Sequence, residues 1–424
     1  MTHASDPKHL YIGFVSFRFA GTDGVSLETA KWAEILEEMG HACYYFAGES
    51  DRPADRAMVV PEAHFRTPEA RNYHQHFFTS TTRTVEQTRW IHHWREQFKK
   101  HLHQFIRDFS LDLLIPQNLF AIPLHIPLAL ALTEVIAETG IQVIAHHHDF
   151  AWERKRFKVN SVGDYLGMSM PPDLPTIQHV VINTQGQQKL ALRRGLTSTL
   201  IPNVMNFEKP APAIDNYSAD LREALGVDPD ELLILQPTRV IQRKGIEQAI
   251  ELVQRLNRKA CLVISHKSGD EGPEYEGRVR AFADLLGVNV ALRADIFDEA
   301  RRVGENGRKI YSLWDAYPHA DLVTYPSLIE GFGNAFLEAV YFRKPLLVNN
   351  YDIYATDIGP KGFDVILFDS FVTEKTVNQT KEILDNPDRV AKMVEKNYQL
   401  GLRYFSYTTL RHRLNYLLAN AFGN

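Results

Sequence analysis

A short, wholly apolar strand that enters a turn and then an amphipathic helix is the pattern that most restricts this fold, and it starts twice along the chain. The first start is Leu10-Tyr-Ile-Gly-Phe-Val-Ser-Phe, which runs into Arg18-Phe-Ala-Gly21-Thr-Asp-Gly24 and a helix from Val25 to Met39. Strand signals recur at His41–Phe46, Asp112–Pro116, Gln142–His146, Val180–Asn183 and Ser198–Asn203. The proline-containing stretch Asn206-Phe-Glu-Lys-Pro-Ala-Pro-Ala-Ile-Asp suits a crossing between domains. Then the pattern restarts: strand Glu231–Pro237, helix Gly245–Asn257, strand Ala260–Ser265, helix Tyr275–Leu286 and strand Val288–Leu292. Strands at Leu322–Tyr325, Pro345–Asn349 and Asp364–Phe368 follow, and Pro387 to Asn424 has helical character. Continuous apolar strands alternating with helices build parallel sheets covered on both faces. The expectation is therefore α/β, with two Rossmann-like, doubly wound parallel-sheet domains facing across a cleft, lined by loops at the carboxyl ends of the strands. The expected limits are 1–205 for the first domain and 206–400 for the second.

Composition narrows the function classes. A length of 424 residues suits two cores, and 44% hydrophobic with 23% charged residues is ordinary for a globular protein. A net charge of −5 speaks against a nucleic-acid partner. Cys43 and Cys261 lie far apart in separate apolar strands, which leaves no disulfide framework or cysteine metal site. The N-terminus lacks a secretory apolar core, so a cytoplasmic location is expected. The apolar run from Leu113 to Ala137 is broken by Pro116, Pro123, His125 and Pro127, against a spanning helix. Between Arg89 and Ile106, large apolar residues recur every three or four positions with basic residues between them. A packed helix explains this better than a membrane-surface helix, because acids and neutral histidines dilute the positive face.

The most informative motif is Tyr325-Pro-Ser-Leu-Ile-Glu330-Gly-Phe-Gly-Asn-Ala-Phe-Leu-Glu338. It places two carboxylates eight residues apart around a strand-to-helix turn. A helix N-terminus there offers backbone N–H groups and a positive dipole end to a phosphate. Taken alone, Glu330 would be a capping acid and Glu338 a solvated helix residue. A second motif, Pro237-Thr-Arg239-Val-Ile-Gln-Arg243-Lys244-Gly245, follows the strand that opens the second domain, where Arg239 and Lys244 would bring cations to a diphosphate and Arg243 would be a spectator. A third, Ile144-Ala-His146-His147-His148-Asp149-Phe-Ala-Trp152-Glu153-Arg-Lys-Arg156, ends a strand of the first domain. Alternation lets only His146 and His148 share a face, too few ligands for zinc, so no metal site is expected. The loop Gly21-Thr-Asp23-Gly24 lacks the G-x-G-x-x-G of a dinucleotide fingerprint, which disfavours a nicotinamide dehydrogenase.

Together these motifs resemble retaining glycosyltransferases of family 4, which have the GT-B fold, and they occur in that family's order. The resemblance implies that Glu330 contacts hydroxyls of the donor sugar. Gly331, Phe332, Gly333 and Asn334 would hold the pyrophosphate, and Glu338 the ribose. Arg239 and Lys244 would contact the donor phosphates, Gly24 would lie beside them, and His148 would meet the sugar at the reacting centre. Asp149, Trp152, Arg156 and Asp23 would be acceptor-side residues. Where the family has two adjacent glycines, this chain has Asp23-Gly24. Ile201-Pro-Asn203-Val204 resembles the family's hinge without its glycine. The resemblance also implies that a final helix, 401–424, returns to the first domain.

The expected activity is hexose transfer with retention, glucose or mannose moving from a UDP- or GDP-sugar to a small acceptor such as a sugar, a sugar phosphate or a glucosylglycerate-type solute. The segments Tyr311–Tyr317 and Thr324–Ser327 resemble enzymes that make small glycosides. No cofactor beyond the nucleotide-sugar co-substrate is expected, nor is membrane association, while homo-oligomerisation stays open. Alternatives are a polysaccharide or lipid-linked glycosyltransferase and a non-catalytic sugar-nucleotide-binding protein on the same scaffold.

Overall fold

The computed structural model describes residues 9–21, 23–266, 273–304 and 307–423. The chain divides into two compact units, one made of residues up to Asn203 together with those from Leu410 onward, the other of Val204–Thr409.

The first domain runs β1 (Tyr11–Val15), α1 (Gly24–Glu38), β2 (Ala42–Ala47), β3 (Ala57–Val59), α2 (Pro68–Phe77), α3 (Val85–Asp108), β4 (Leu113–Pro116), α4 (Ile126–Thr139), β5 (Gln142–His147), α5 (Gly163–Ser169), β6 (Ile177–Val181), α6 (Thr184–Arg194) and β7 (Thr199–Leu200). Its seven strands are parallel in the order β3-β2-β1-β4-β5-β6-β7. β1 and β4 are buried almost throughout, which is why they read as unbroken apolar runs. β3, three residues at the sheet edge, carried no such signal. The basic amphipathic helix is α3, and its Trp90, Ile91, Phe98, Leu102 and Phe105 are buried. Two of its cations face α4, with Lys99 Nζ 2.9 Å and Arg95 Nη1 3.2 Å from the Glu134 carboxylate. Among the described residues, no helix is long and apolar enough to cross a membrane.

The second domain runs α7 (Leu221–Leu225), β8 (Leu232–Gln236), α8 (Ile246–Leu256), β9 (Ala260–Ile264), α9 (Pro273–Leu286), β10 (Asn289–Leu292), β11 (Phe297–Asp298), β12 (Arg302–Val303), β13 (Lys309–Ser312), α10 (Leu313–His319), β14 (Leu322–Tyr325), α11 (Asn334–Tyr341), β15 (Leu346–Asn349), β16 (Ile366–Phe368), α12 (Glu374–Asp385), α13 (Pro387–Phe405) and α14 (Tyr407–Phe422). The parallel sheet order is β10-β9-β8-β14-β15-β16. β11, β13 and β12 form a small separate sheet that the sequence did not announce, because its strands are short and lack an apolar run. The part of α14 beyond Leu410 packs on the first domain: Gln178 Nε2 donates to the Leu417 carbonyl at 2.9 Å, and Arg413 Nη1 to that of Leu200 at 2.9 Å. Cys43 and Cys261 are free and buried, on β2 and β9.

Six histidines of the first domain make it acid-sensitive. Burial lowers His74, His125, His148 and His179 to about 4 and holds His146 and His147 well below their ordinary value. The unfolded chain takes up protons near pH 6.5, before the folded domain does, so this stability is intact above pH 6.5 and is lost as pH falls towards 4. The expected slope is about 1.4 kcal/mol per pH unit for each histidine, less where neighbours couple. Four of the five tryptophans lie in the first domain, so a Trp314→Phe protein reports that domain by fluorescence. Its urea midpoint should fall steeply from pH 7 to pH 5; a flat profile would contradict the assignment of neutral buried rings.

Candidate active site

In the second domain, the loops after β8 and β14 are tied into one structure. At the end of β8 the buried Gln236 donates through Nε2 to Thr238 Oγ1 at 3.3 Å and to the Lys244 carbonyl at 3.2 Å, fixing the intervening turn. Gly245 closes that turn at φ +64°, and a Cβ there would lie 2.3 Å from the Pro326 carbonyl oxygen. Only glycine allows both the left-handed backbone and this approach. Gly245→Ala should lower the thermal midpoint by several degrees through loss of about 1–3 kcal/mol; an unchanged midpoint would show that the loops are not locked.

That contact brings the predicted cations to Glu330. Lys244 Nζ pairs with Glu330 Oε1, and Arg243 Nη1 lies 3.5 Å from Oε2 while donating to the Ile329 carbonyl at 2.9 Å. Arg243 is therefore no spectator, because it holds the acidic loop at the Ile329 carbonyl and at the Glu330 carboxylate. The Glu330 and Lys244 side chains are only 10% and 11% exposed. Burial alone would raise the Glu330 carboxyl, but Lys244 and Arg243 outweigh it and hold it below its ordinary value, so Glu330 is ionised. The two expected phosphate cations thus differ here. Lys244 is spent on Glu330, whereas Arg239 is exposed and its guanidinium makes no ion pair among the described residues.

α11 opens at Gly333, which has φ +130° and no side-chain cap. A Cβ at Gly333 would lie 2.7 Å from Tyr351 Oη and 3.2 Å from Tyr325 Oη. Tyr351 in turn donates to the Phe332 carbonyl at 2.7 Å, and the Phe332 ring is buried 5.3 Å from that of Phe405. The Phe332 side chain faces inward and packs, so at this turn only its backbone is available to a ligand. Gly331 is exposed and Asn334 half-buried at the same turn. Glu338 accepts a 2.6 Å hydrogen bond from Tyr317 Oη, and burial keeps that phenol protonated. His266, at the end of β9, escaped the sequence reading. Its Nδ1 lies 3.1 Å from Ser265 Oγ, and burial, followed by the charges of Lys244 and Arg239, lowers it to about 4.

In the first domain, His146 and His148 share a face as alternation requires, and they share one partner. Gln117 Oε1 is 3.0 Å from His146 Nδ1 and 3.2 Å from His148 Nε2. His146 also stacks on Trp32, with ring centroids 4.2 Å apart, and Asn118 Oδ1 accepts from the His148 backbone N–H at 3.0 Å. His148 is thus a neutral ring in a fixed orientation. Among the described residues, no group of three or more histidine, cysteine or acidic side chains is placed to hold a metal.

Asp23 is the N-cap of α1: its Oδ1 accepts from the Val25 and Ser26 N–H groups at 3.1 Å each, and its Oδ2 from Ser26 Oγ at 2.7 Å. Arg18 pairs with it at 2.9 Å. This capping accounts for an aspartate where a second glycine was expected. Gly24, the first residue of α1, is exposed. Asp149 is engaged by Asn118 Nδ2 at 3.0 Å and Arg154 Nε at 2.7 Å. Trp152 stacks on Phe150 at 4.5 Å, and Arg156 lies over the Phe157 ring at 4.7 Å, so both pack locally.

Two parallel-sheet domains with this paired acidic loop define a glycosyltransferase of the GT-B fold. Residues 298–400 match the family described as glycosyl transferases group 1. The chain is 31% identical to the mannosylglucosylglycerate synthase of Petrotoga mobilis, with 93% of this chain and 98% of the relative covered. Identity to the synthase of the same name from Thermotoga maritima is also 31%, covering 95% and 98%. The chain belongs to the group 1 glycosyltransferases. Its fold is shared by Anabaena HepE, solved in complex with UDP and glucose, at a TM-score of 0.65 and 12% identity over 97% of this chain and 100% of that one.

Proposed function

We propose that this glycosyltransferase moves a hexose, glucose or mannose, from a UDP- or GDP-sugar to a hydroxyl of a small glucosylglycerate-type acceptor, with retention of the anomeric configuration. The observation that carries this reading is the ionised Glu330, held by Lys244 and Arg243 beside the uncapped start of α11. An ionised, oriented carboxylate is an acceptor for sugar hydroxyls. Arg239, exposed and without an ion pair among the described residues, supplies the charge for the diphosphate and stabilises it as the glycosidic bond breaks. The α11 start adds its dipole through Gly331, Gly333 and Asn334. Glu338, oriented by Tyr317, takes the ribose hydroxyls. On the first domain, neutral His148 donates through Nε2 to Gln117, so its Nδ1 accepts a hydrogen bond from a hydroxyl of the transferred sugar, and Gly24 lets backbone approach the phosphates. The leaving phosphate takes the acceptor proton on the face from which it departs. The names of the two relatives support the acceptor class, and the HepE complex supports a nucleotide-sugar donor.

Thermal shift with UDP, GDP and ADP and their glucose and mannose conjugates tests the donor half. One nucleotide family should stabilise the protein by about 2.7 kcal/mol at a hundred times its Kd, and Arg239→Ala should abolish that shift without changing the ligand-free midpoint. No stabilisation by any of the panel would refute the donor site.

A further inference from the structure

Gln117 and Asn118 directly follow β4 and clamp the end of β5 through both backbone and side chains. Gln117 bridges His146 in parallel register, and the Asn118 N–H donates to the His146 carbonyl at 2.8 Å. The Asn118 amide reaches along the same segment, Oδ1 accepting from the His148 N–H at 3.0 Å and Nδ2 donating to Asp149 Oδ1 at 3.0 Å. Gln117 is itself held in place. Its side chain is fully buried, its N–H donates to the Val15 carbonyl at 2.8 Å, and its carbonyl accepts from Ser16 Oγ at 3.1 Å. The His148 ring therefore meets a fixed amide.

The polarity of that meeting follows from the atom types. An amide oxygen only accepts, so the ring nitrogens 3.0 and 3.2 Å from Gln117 Oε1, Nδ1 of His146 and Nε2 of His148, carry the protons. Both rings are neutral, so the opposite nitrogen of each is a lone pair. These two lone pairs have different surroundings. His146 Nε2 is buried and unpaired on a ring stacked against Trp32. His148 is half-buried, and its Nδ1 is neither bonded among the described residues nor one of the buried unpaired atoms. In a neutral histidine, the bond made by one nitrogen sets the proton on the other. We propose that Gln117 is a positioning residue for sugar transfer: by fixing the tautomer of His148 it makes Nδ1 an acceptor, which reads a hydroxyl hydrogen on the transferred sugar. The role in transfer rests on the transferase reading; the tautomer does not.

Two readouts separate these. Two-bond hydrogen–nitrogen NMR spectra of the full chain, labelled with 15N-histidine and assigned through His148→Phe, report the tautomer with no substrate present; a protonated Nε2 and a bare Nδ1 are expected. In transfer assays Gln117→Met, which keeps the shape and removes the acceptor, should lower kcat about 10²-fold while the Kd of the nucleotide without sugar stays within about twofold. Gln117→Glu keeps an acceptor and should recover most of that loss at pH 8.5. Its added charge joins the titratable and charged groups around His148, which are His146, His147 and Asp149 on the same segment and Asp23 and Lys31 from the start and body of α1. A carboxylate beside the ring favours the imidazolium, which has no lone pair, so the acid limb of kcat in Gln117→Glu should lie about 1–3 pH units above that of wild type. A protonated Nδ1, the result if the amide nitrogen of Gln117 faced the rings, overturns the proposal. So do equal kcat values for wild type and Gln117→Met, or an acid limb of Gln117→Glu that coincides with wild type. The expected tautomer without transfer from any nucleotide sugar would sink the transferase reading, and the positioning role with it, while the tautomer stands.

Discussion

Glu330→Gln should lower hexose transfer by about 10²–10³-fold, the range seen when one oriented electrostatic group is removed from a reacting centre. The carboxylate is ionised against its burial because Lys244 and Arg243 hold it there. The amide keeps its shape and loses the charge that accepts hydrogen bonds from the sugar. The loss should fall on kcat, since phosphate binding at Arg239 is untouched, and nucleotide Kd should change less than threefold. Equal transfer rates for wild type and variant would remove Glu330 from the site.

Lys244→Met should destabilise the second domain by about 3–5 kcal/mol, the cost of leaving one member of a buried ion pair without its partner. Glu330 would then face Arg243 alone, at 3.5 Å. The double variant Lys244→Met, Glu330→Leu removes both charges and should recover most of that loss while staying inactive. Urea unfolding of the two single variants and the double one measures the coupling. A double variant as unstable as the sum of the singles would mean that the pair is not buried and coupled as described.

Much of this fold was legible because its central strands are buried on both faces. β1, β8 and β14 announce themselves as apolar runs ending in turn residues, and the restart at Glu231 separates the two sheets. β3 and the small sheet of β11, β12 and β13 were not legible, being two to four residues long and partly exposed. In the site, the carboxyl ends of β8 and β14 placed Arg239, Lys244 and Glu330 in one neighbourhood. What the sequence could not show is how charge is shared there. Lys244 is turned onto Glu330 because Gly245 packs against Pro326, 81 residues away along the chain. Gln117, which orients both His146 and His148, lies on another strand end. Asp23 looked like a departure from a glycine pair until its capping bonds were seen.

The most direct test of the account is a transfer assay with purified protein, glucosylglycerate and each nucleotide sugar of the panel, the product's anomeric configuration being read by NMR. The expected result is one donor giving a single glycoside with the donor's configuration, formed by wild type and lost in Glu330→Gln and Arg239→Ala. An inverted product, or transfer undiminished in both variants, would contradict it.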